Sequence, residues 1–192
     1  MQVLVVYAHP NPQSFNHAIM ESFISGLKEA GHTYEISDLY AGGFNPVFNS
    51  ADLSQFTGKE MPGEVLAEQK KVNKAGALVF IYPVWWWAAP AILKGWYDRV
   101  LSYGFAYKSG EQGEPVGLLK DKKVLHITTT LGKKEEYRGK GLEEAMKAVD
   151  RASFTGVCGI QNVEHLFLYA VESGAETRKE YLNLAYRTGK DF

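Results

Sequence analysis

Short apolar runs alternate with longer amphipathic stretches along this chain, the pattern of a parallel sheet with helical crossovers. Val3 to Ala8 reads as a first, buried strand. From Ser14, apolar residues recur at Phe15, Ile19, Phe23 and Leu27 on one helical face, and Gly31 follows as a stop signal. Thr33 to Leu39, Ala77 to Tyr82, Lys123 to Thr130 and Val163 to Val171 predict four more strands. Helical spacing returns over Glu64 to Lys74, Ala91 to Leu101, Leu142 to Ala152 and Glu176 to Arg187. This is the pattern of an α/β, doubly wound parallel sheet of order 2-1-3-4-5 with helices on both faces. In the helix from Ala91, Ile92, Trp96 and Val100 form the inward stripe, which assigns Lys94, Asp98 and Arg99 to other faces. Tyr40 to Gly63 has little periodicity, with breakers at Gly42-Gly43, Pro46 and Pro62-Gly63. It is expected to be a long surface segment, either a ligand lid or a mobile loop.

In such a sheet the turns after strands one, three and four converge on one edge, where crossovers diverge and leave a crevice. Here those turns are unusual. The first, Ala8-His9-Pro10-Asn11-Pro12-Gln13-Ser14-Phe15-Asn16, leads into a helix N-terminus whose free N–H groups and positive dipole end suit a phosphate. Ser14 and Asn16 add side-chain donors, although Ser14 alone reads equally well as a helix cap. The third turn is Pro83-Val84-Trp85-Trp86-Trp87-Ala88-Ala89-Pro90. Alternation along an extended chain sends Trp85 and Trp87 one way and Trp86 the other, so one short turn does not bury all three, and at least one is expected to line a site for a flat ligand. The fourth turn, Thr128-Thr129-Thr130-Leu131-Gly132, is rich in hydroxyls. Together the three describe a site for a planar group carrying a phosphate chain, as in a flavin nucleotide.

The chain of 192 residues suits a single domain, 1–192, and its 45% hydrophobic and 22% charged content is that of a soluble globular protein. No apolar run reaches membrane-spanning length, and the start reads as a strand, so no membrane insertion and a cytoplasmic location are expected. A net charge of −1 gives no footprint for nucleic acid, which points to a small-molecule partner. The one cysteine, Cys158, reads as a small buried hydrophobe. The five histidines lack ligand spacing, so no metal is expected. Gly-x-Gly-x-x-Gly after the first strand, a Walker lysine motif and a Gly-x-Ser-x-Gly elbow are all absent, which removes the Rossmann, P-loop and serine hydrolase readings.

Several segments, in this order and spacing, resemble the NAD(P)H:quinone oxidoreductases of the flavodoxin-like fold. They are Ala8-His9 with Ser14-Phe15-Asn16; Ser37 to Tyr40 with Phe44-Asn45-Pro46; Ala67 to Lys71; and Pro90 to Trp96 leading to Arg99-Val100 and Phe105-Ala106-Tyr107. The resemblance implies that His9, Ser14, Phe15 and Asn16 contact a flavin's phosphate arm, with Arg178 near the phosphates. It also implies that Pro83 and Val84 to Trp87 line the isoalloxazine ring and that Thr128, Thr129, Thr130 and Leu131 hold its pyrimidine side. By the same resemblance Tyr137 is the catalytic tyrosine beside the flavin, Trp86, Trp87 and Tyr107 line the acceptor pocket, and the protein is a homodimer. The implied cofactor is FAD, with FMN the alternative, and NAD(P)H is the co-substrate. Two departures from the mammalian pattern stand out. Leu131 occupies a position in the paired-glycine turn, and no histidine follows Tyr137, where the chain reads Arg138-Gly139-Lys140-Gly141-Leu142, so a tyrosine-histidine relay does not carry over.

The expected activity is ping-pong hydride transfer from NAD(P)H through the flavin to a quinone or similar planar, electron-poor acceptor. Two readings from other classes stand beside it. One is a flavodoxin-type electron carrier, which the near-neutral charge disfavours. The other is an ancillary regulatory subunit of a membrane transporter, for which the sequence names no partner.

Overall fold

The computed structural model describes residues 1–192. Its strands are β1 (Gln2–Tyr7), β2 (Thr33–Asp38), β3 (Ala77–Pro83), β4 (Tyr107–Ser109), β5 (Pro115–Gly117), β6 (Lys123–Thr129) and β7 (Asn162–Leu168). The helices are α1 (Phe15–Glu29), α2 (Ser54–Thr57), α3 (Gly63–Lys74), α4 (Ala91–Val100), α5 (Lys134–Gly139), α6 (Leu142–Asp150) and α7 (Ala175–Lys190). A 3-10 turn spans Ser50–Leu53, and a π-helical stretch, Arg151–Val157, continues α6. The main sheet has five parallel strands in the order β2-β1-β3-β6-β7, which is the expected 2-1-3-4-5 when its strands alone are counted. The small antiparallel pair β4-β5 was not foreseen; its strands are three residues each, too short to leave a periodic signature.

Because side chains alternate along each strand, the sheet has two apolar faces. One carries Val3, Val5, Val79, Ile81, Leu125 and Ile127 and is covered by α1 and α7. The other carries Leu4, Val6, Leu78, Phe80 and Val124 and packs under α3, α4 and the π-helical stretch. Helices α1 and α7 cross in close contact at two glycines: a Cβ on Gly26 would lie 2.1 Å from the Tyr186 carbonyl oxygen, and one on Gly189 2.1 Å from that of Phe23. Ser22 also donates to the Leu182 carbonyl at 2.7 Å, and Lys190 pairs with Glu29 at 2.6 Å.

Two expectations need correction. Arg99, on a face other than the apolar stripe, is nonetheless 1% exposed, and its Nε donates to both carboxylate oxygens of Asp52 at 3.0 and 3.1 Å. Its Nη1 donates to the Asn45 carbonyl at 2.6 Å and to Glu64 at 2.5 Å. A stripe drawn from apolar residues alone misses a cation that is buried because its partners lie elsewhere in the chain. Those partners also change the reading of Tyr40 to Gly63. That segment is mostly at the surface, but Asp52 is 0% exposed, and Pro46 rests against α4 where Gly95 leaves no room for a Cβ. The segment is pinned at its middle and is no free loop.

Candidate functional site at the carboxyl edge of the sheet

The turns after β1, β3 and β6 meet at one edge of the sheet, as the strand order requires. In the first, the His9 Nδ1 accepts from the Asn11 amide at 3.0 Å, and the Asn11 side chain accepts from Gln13 at 2.8 Å, which sets the loop. Ser14 is the cap of α1, accepting from the His17 amide at 3.2 Å, and its hydroxyl also lies 3.0 Å from that of Tyr7. The amides of Phe15 and Asn16, in the first turn of α1, have no intrahelical acceptor and are free for an anion. Arg178 sits 5.3 Å above the Phe15 ring, held there by its bond to the Val171 carbonyl at 2.9 Å. Asn16 is buried and donates to the Thr129 hydroxyl at 2.9 Å, while its Oδ1 has no partner.

The tryptophan turn is not an extended segment, and the alternation argument fails for it. Trp85 and Ala88 exchange both backbone hydrogen bonds, at 3.0 and 3.1 Å, and close a two-residue hairpin around Trp86 and Trp87. Both central residues have positive φ, 50° and 63°, as in a type I′ turn, which strongly favours Asn and Gly at these positions. Left-handed backbone at bulky residues costs on the order of 1–3 kcal/mol each, and strain of this kind clusters at functional sites. The result is that Trp86 stands 94% exposed, with Trp85 and Trp87 half-exposed on either side. Pro83 is buried at the end of β3, and the Val84 amide bonds to the Thr129 carbonyl at 2.9 Å, which ties this turn to the next.

In the turn after β6, the Thr130 hydroxyl donates to the Gly132 carbonyl at 2.8 Å, and Leu131 projects into solvent. Thr128 points its side chain to the other face, where its hydroxyl is 3.0 Å from His165 Nε2, so it offers the turn only backbone. Tyr137 is buried on α5. Its ring meets Trp87 edge-on at 5.7 Å and Tyr169 at 5.6 Å. Burial raises its pKa above the ordinary phenol value against the opposing effect of the Thr130 hydroxyl, so it holds its proton at neutral pH. Tyr107 lies elsewhere, packed on Tyr103 and lining a hollow with Phe48, Phe56 and Leu101. The structure thus gathers His9, Ser14, Phe15, Asn16 and Arg178, the tryptophan turn, Thr130, Leu131 and Tyr137 along one edge of the sheet, where the His9 ring lies 6.3 Å from that of Trp85.

Sequence reasoning did not find the groups that hold Tyr137. Glu143 on α6 accepts from Lys147 at 2.6 Å, from Arg138 at 3.0 Å and from the Tyr169 hydroxyl at 2.8 Å, clamping α5 to α6. Lys147 above all, then Tyr169 and Arg138, holds the Glu143 carboxyl down at about 2 despite its burial. The i, i+4 spacing of Glu143 and Lys147 was readable as an ordinary exposed pair; what it clamps was not.

A family model described as the flavodoxin-like fold matches residues 1–188. The rat protein named NAD(P)H dehydrogenase [quinone] 1 is 33% identical over 190 residues, covering 88% of this chain and 69% of the rat protein. The chain belongs to the flavodoxin-like NAD(P)H:quinone oxidoreductase family. A family relative in Haemophilus influenzae, named an uncharacterized NAD(P)H oxidoreductase, is 36% identical over 165 residues, 85% of this chain and 81% of the relative. The solved NAD(P)H:quinone oxidoreductase of Methanothermobacter marburgensis superposes with a TM-score of 0.90 at 35% identity, over 100% of this chain and 98% of that one. The family fold agrees with the sheet order read from the sequence. No helix is long and apolar enough to cross a membrane, and among His, Cys, Asp and Glu no cluster could hold a metal.

Proposed function

We propose that this chain is a flavin-dependent NAD(P)H:quinone oxidoreductase that binds its flavin in the crevice at the carboxyl edge of the sheet. The observation that carries the reading is the convergence there of a free helix N-terminus, an exposed indole turn and a buried, protonated tyrosine. The residues present fit such a cofactor. Free amides of α1 and the Arg178 guanidinium suit phosphate oxygens. The Asn16 amide has one end on Thr129 and the other unpartnered; exchanging its ends, with Oδ1 accepting from the Thr129 hydroxyl, turns an N–H₂ donor toward the phosphate. Trp85, Trp86 and Trp87 offer flat apolar faces to a ring.

When bound, the flavin supplies hydride acceptance from NAD(P)H and reduction of a quinone or similar planar acceptor. The chain supplies position and protons. Trp87 and Tyr137 form one wall; Trp86 keeps a flat acceptor or nicotinamide oriented and excludes water from the face it covers. The Tyr137 hydroxyl, kept protonated by burial, donates to charge developing on a ring beside it and is no obligatory proton source, since no histidine relays to it. FAD is the favoured flavin, from the Ser14-Phe15-Asn16 and Phe44-Asn45-Pro46 segments, the second of which is fixed by Arg99 through the Asn45 carbonyl. Tyr107, remote from the crevice in one chain, belongs to the acceptor pocket of a homodimer in which the partner copy brings it across. The test is direct: purified protein should be yellow, should release FAD identifiable by mass, and should oxidise NAD(P)H steadily when a quinone is added. Protein that stays colourless after incubation with both FAD and FMN would remove the reading. Protein that binds flavin but passes only single electrons to a protein partner would make it a carrier.

A further inference from the structure

Alternation along β1 turns Val3, Val5 and Tyr7 to the face of the sheet covered by α1 and α7. Val3 and Val5 end in methyl groups, as a core asks. Tyr7, the last residue of the strand, ends in a hydroxyl although it is fully buried. Its ring meets His17 edge-on at 5.8 Å, and its hydroxyl reaches the start of α1, where its one hydrogen-bond partner is the Ser14 Oγ at 3.0 Å.

The direction of that bond follows from counting protons. Burial raises the Tyr7 pKa, so the phenol keeps its proton at neutral pH and needs an acceptor for it. If Ser14 were the donor between the two, the phenol proton would be buried with nothing to receive it, which costs free energy. Tyr7 therefore donates and Ser14 accepts. Ser14 Oγ also accepts from the His17 amide at 3.2 Å, as the cap of α1. A hydroxyl oxygen has two lone pairs, and both are now taken. The proton of Ser14 itself is left over, with no acceptor in the chain, on a side chain that is only partly buried. Beside it stand the free amides of Phe15 and Asn16 and the unpartnered end of the buried Asn16 side chain.

We infer that Tyr7 is a positioning residue: by donating to Ser14, it turns the Ser14 hydroxyl from a helix cap alone into a fixed proton donor for a phosphate oxygen held at the start of α1. The inference rests on the proposed flavin site and names what sets one of its phosphate contacts. Tyr7, buried beneath the helix, acts through Ser14 alone. Two effects combine. Without the phenol, the Ser14 O–H is free to turn among its staggered positions, of which about one in three donates to the phosphate. With it, the chain from phenol to hydroxyl to phosphate runs donor to acceptor throughout, and each bond polarises the next. Together they should be worth roughly three- to tenfold in affinity for a phosphate, and nothing for a ligand without one.

The experiment compares FMN with riboflavin, which has the same ring and ribityl chain but no phosphate, by fluorescence titration into the whole chain freed of flavin. Tyr7→Phe keeps the buried ring and should weaken FMN about three- to tenfold, while riboflavin binds as it does to the parent protein. An unchanged riboflavin constant also reports an intact crevice. Ser14→Ala alone should weaken FMN at least as much, and Tyr7→Phe added to it should do no more, because the hydroxyl through which Tyr7 acts is then gone. An equal loss for both flavins, or a full effect of Tyr7→Phe on top of Ser14→Ala, would overturn the inference and make Tyr7 a packing residue. FMN binding unchanged by Tyr7→Phe would overturn it as well. Should the parent protein bind neither flavin, the proposed function fails, and the inference is read separately with inorganic phosphate, followed by NMR at the Phe15 and Asn16 amides. Weaker phosphate binding by Tyr7→Phe then supports it, and equal or absent binding overturns it.

Discussion

Replacing Asp52 by Ala leaves the Arg99 guanidinium buried with half its partners gone. Both Nε bonds to the carboxylate are lost, and so is the bond from the Asn49 amide, at 2.8 Å, that closes the cap of the 3-10 turn. Removing one member of a buried ion pair costs about 3–5 kcal/mol, and the lost cap adds about 1 kcal/mol. Arg99 retains Glu64 and the Asn45 carbonyl, and Glu64 is partly exposed, so the lower half of the range applies to the ion pair, and with the cap the loss is about 4–5 kcal/mol in all. In a chain of this size that lowers Tm by roughly 10 °C. Urea unfolding followed by tryptophan fluorescence at neutral pH measures it. The double variant Asp52→Ala/Arg99→Met is the decisive control: with no lone charge left inside, it should be less destabilised than Asp52→Ala alone. A loss below about 1 kcal/mol for the single variant, or a double variant worse than the sum of its parts, would refute the account of the pinned segment.

Tyr137→Phe should slow flavin reduction by NAD(P)H through the loss of a hydrogen bond to developing charge, about 1.5–3 kcal/mol at most, with flavin retained; stopped-flow traces that match the parent protein would place the hydroxyl outside the reaction. Trp86→Gly relieves a bulky residue of its positive φ and should stabilise the protein by about 1 kcal/mol in thermal melts while raising KM for a quinone. A fall in stability would mean that the turn is not strained. Glu143 has its folded-state pKa depressed to about 2, so its contribution is present above its unfolded value near 4.5 and is lost as pH falls toward 2. Glu143→Gln should therefore be less stable at pH 7 yet show a flatter stability profile between about pH 4.5 and 2, read by denaturant melts across that window. Parallel profiles for the two proteins would count against the clamp.

The sheet was legible because its three central strands, β1, β3 and β6, are buried, largely apolar runs of six or seven residues bounded by turn signals, and because parallel order follows from the crossovers. The site was legible in outline for the same reason: once the order is fixed, the turns after β1, β3 and β6 must meet. What escaped was whatever depended on partners distant in sequence. Arg99 looked polar and outward because Asp52 is 47 positions away, and nothing local announces that they meet inside. The tryptophan turn was read with the geometry of a strand, and only the backbone shows two indoles in left-handed conformation. His126 and His165 seemed scattered, yet they occupy opposed register positions in neighbouring strands. A search for histidines at equal depth in adjacent predicted strands would have paired them.

The close crossing of α1 and α7 bears on the order in which this molecule is made. Gly26 and Gly189 let the two helices touch backbone to backbone, and α7 also delivers Arg178 to the start of α1. On the ribosome, α1 emerges well before α7, by on the order of ten seconds at about 5–20 residues per second. Throughout that interval the face of the sheet bearing Val5, Val79 and Ile127 lacks half its cover. That uncovered face is open to chaperone capture and proteolysis, and under the proposed function Arg178 is not yet beside α1 to hold a phosphate from the second side. Under the proposed function, loading of the flavin then waits on the synthesis of α7, so newly made molecules are the ones without it.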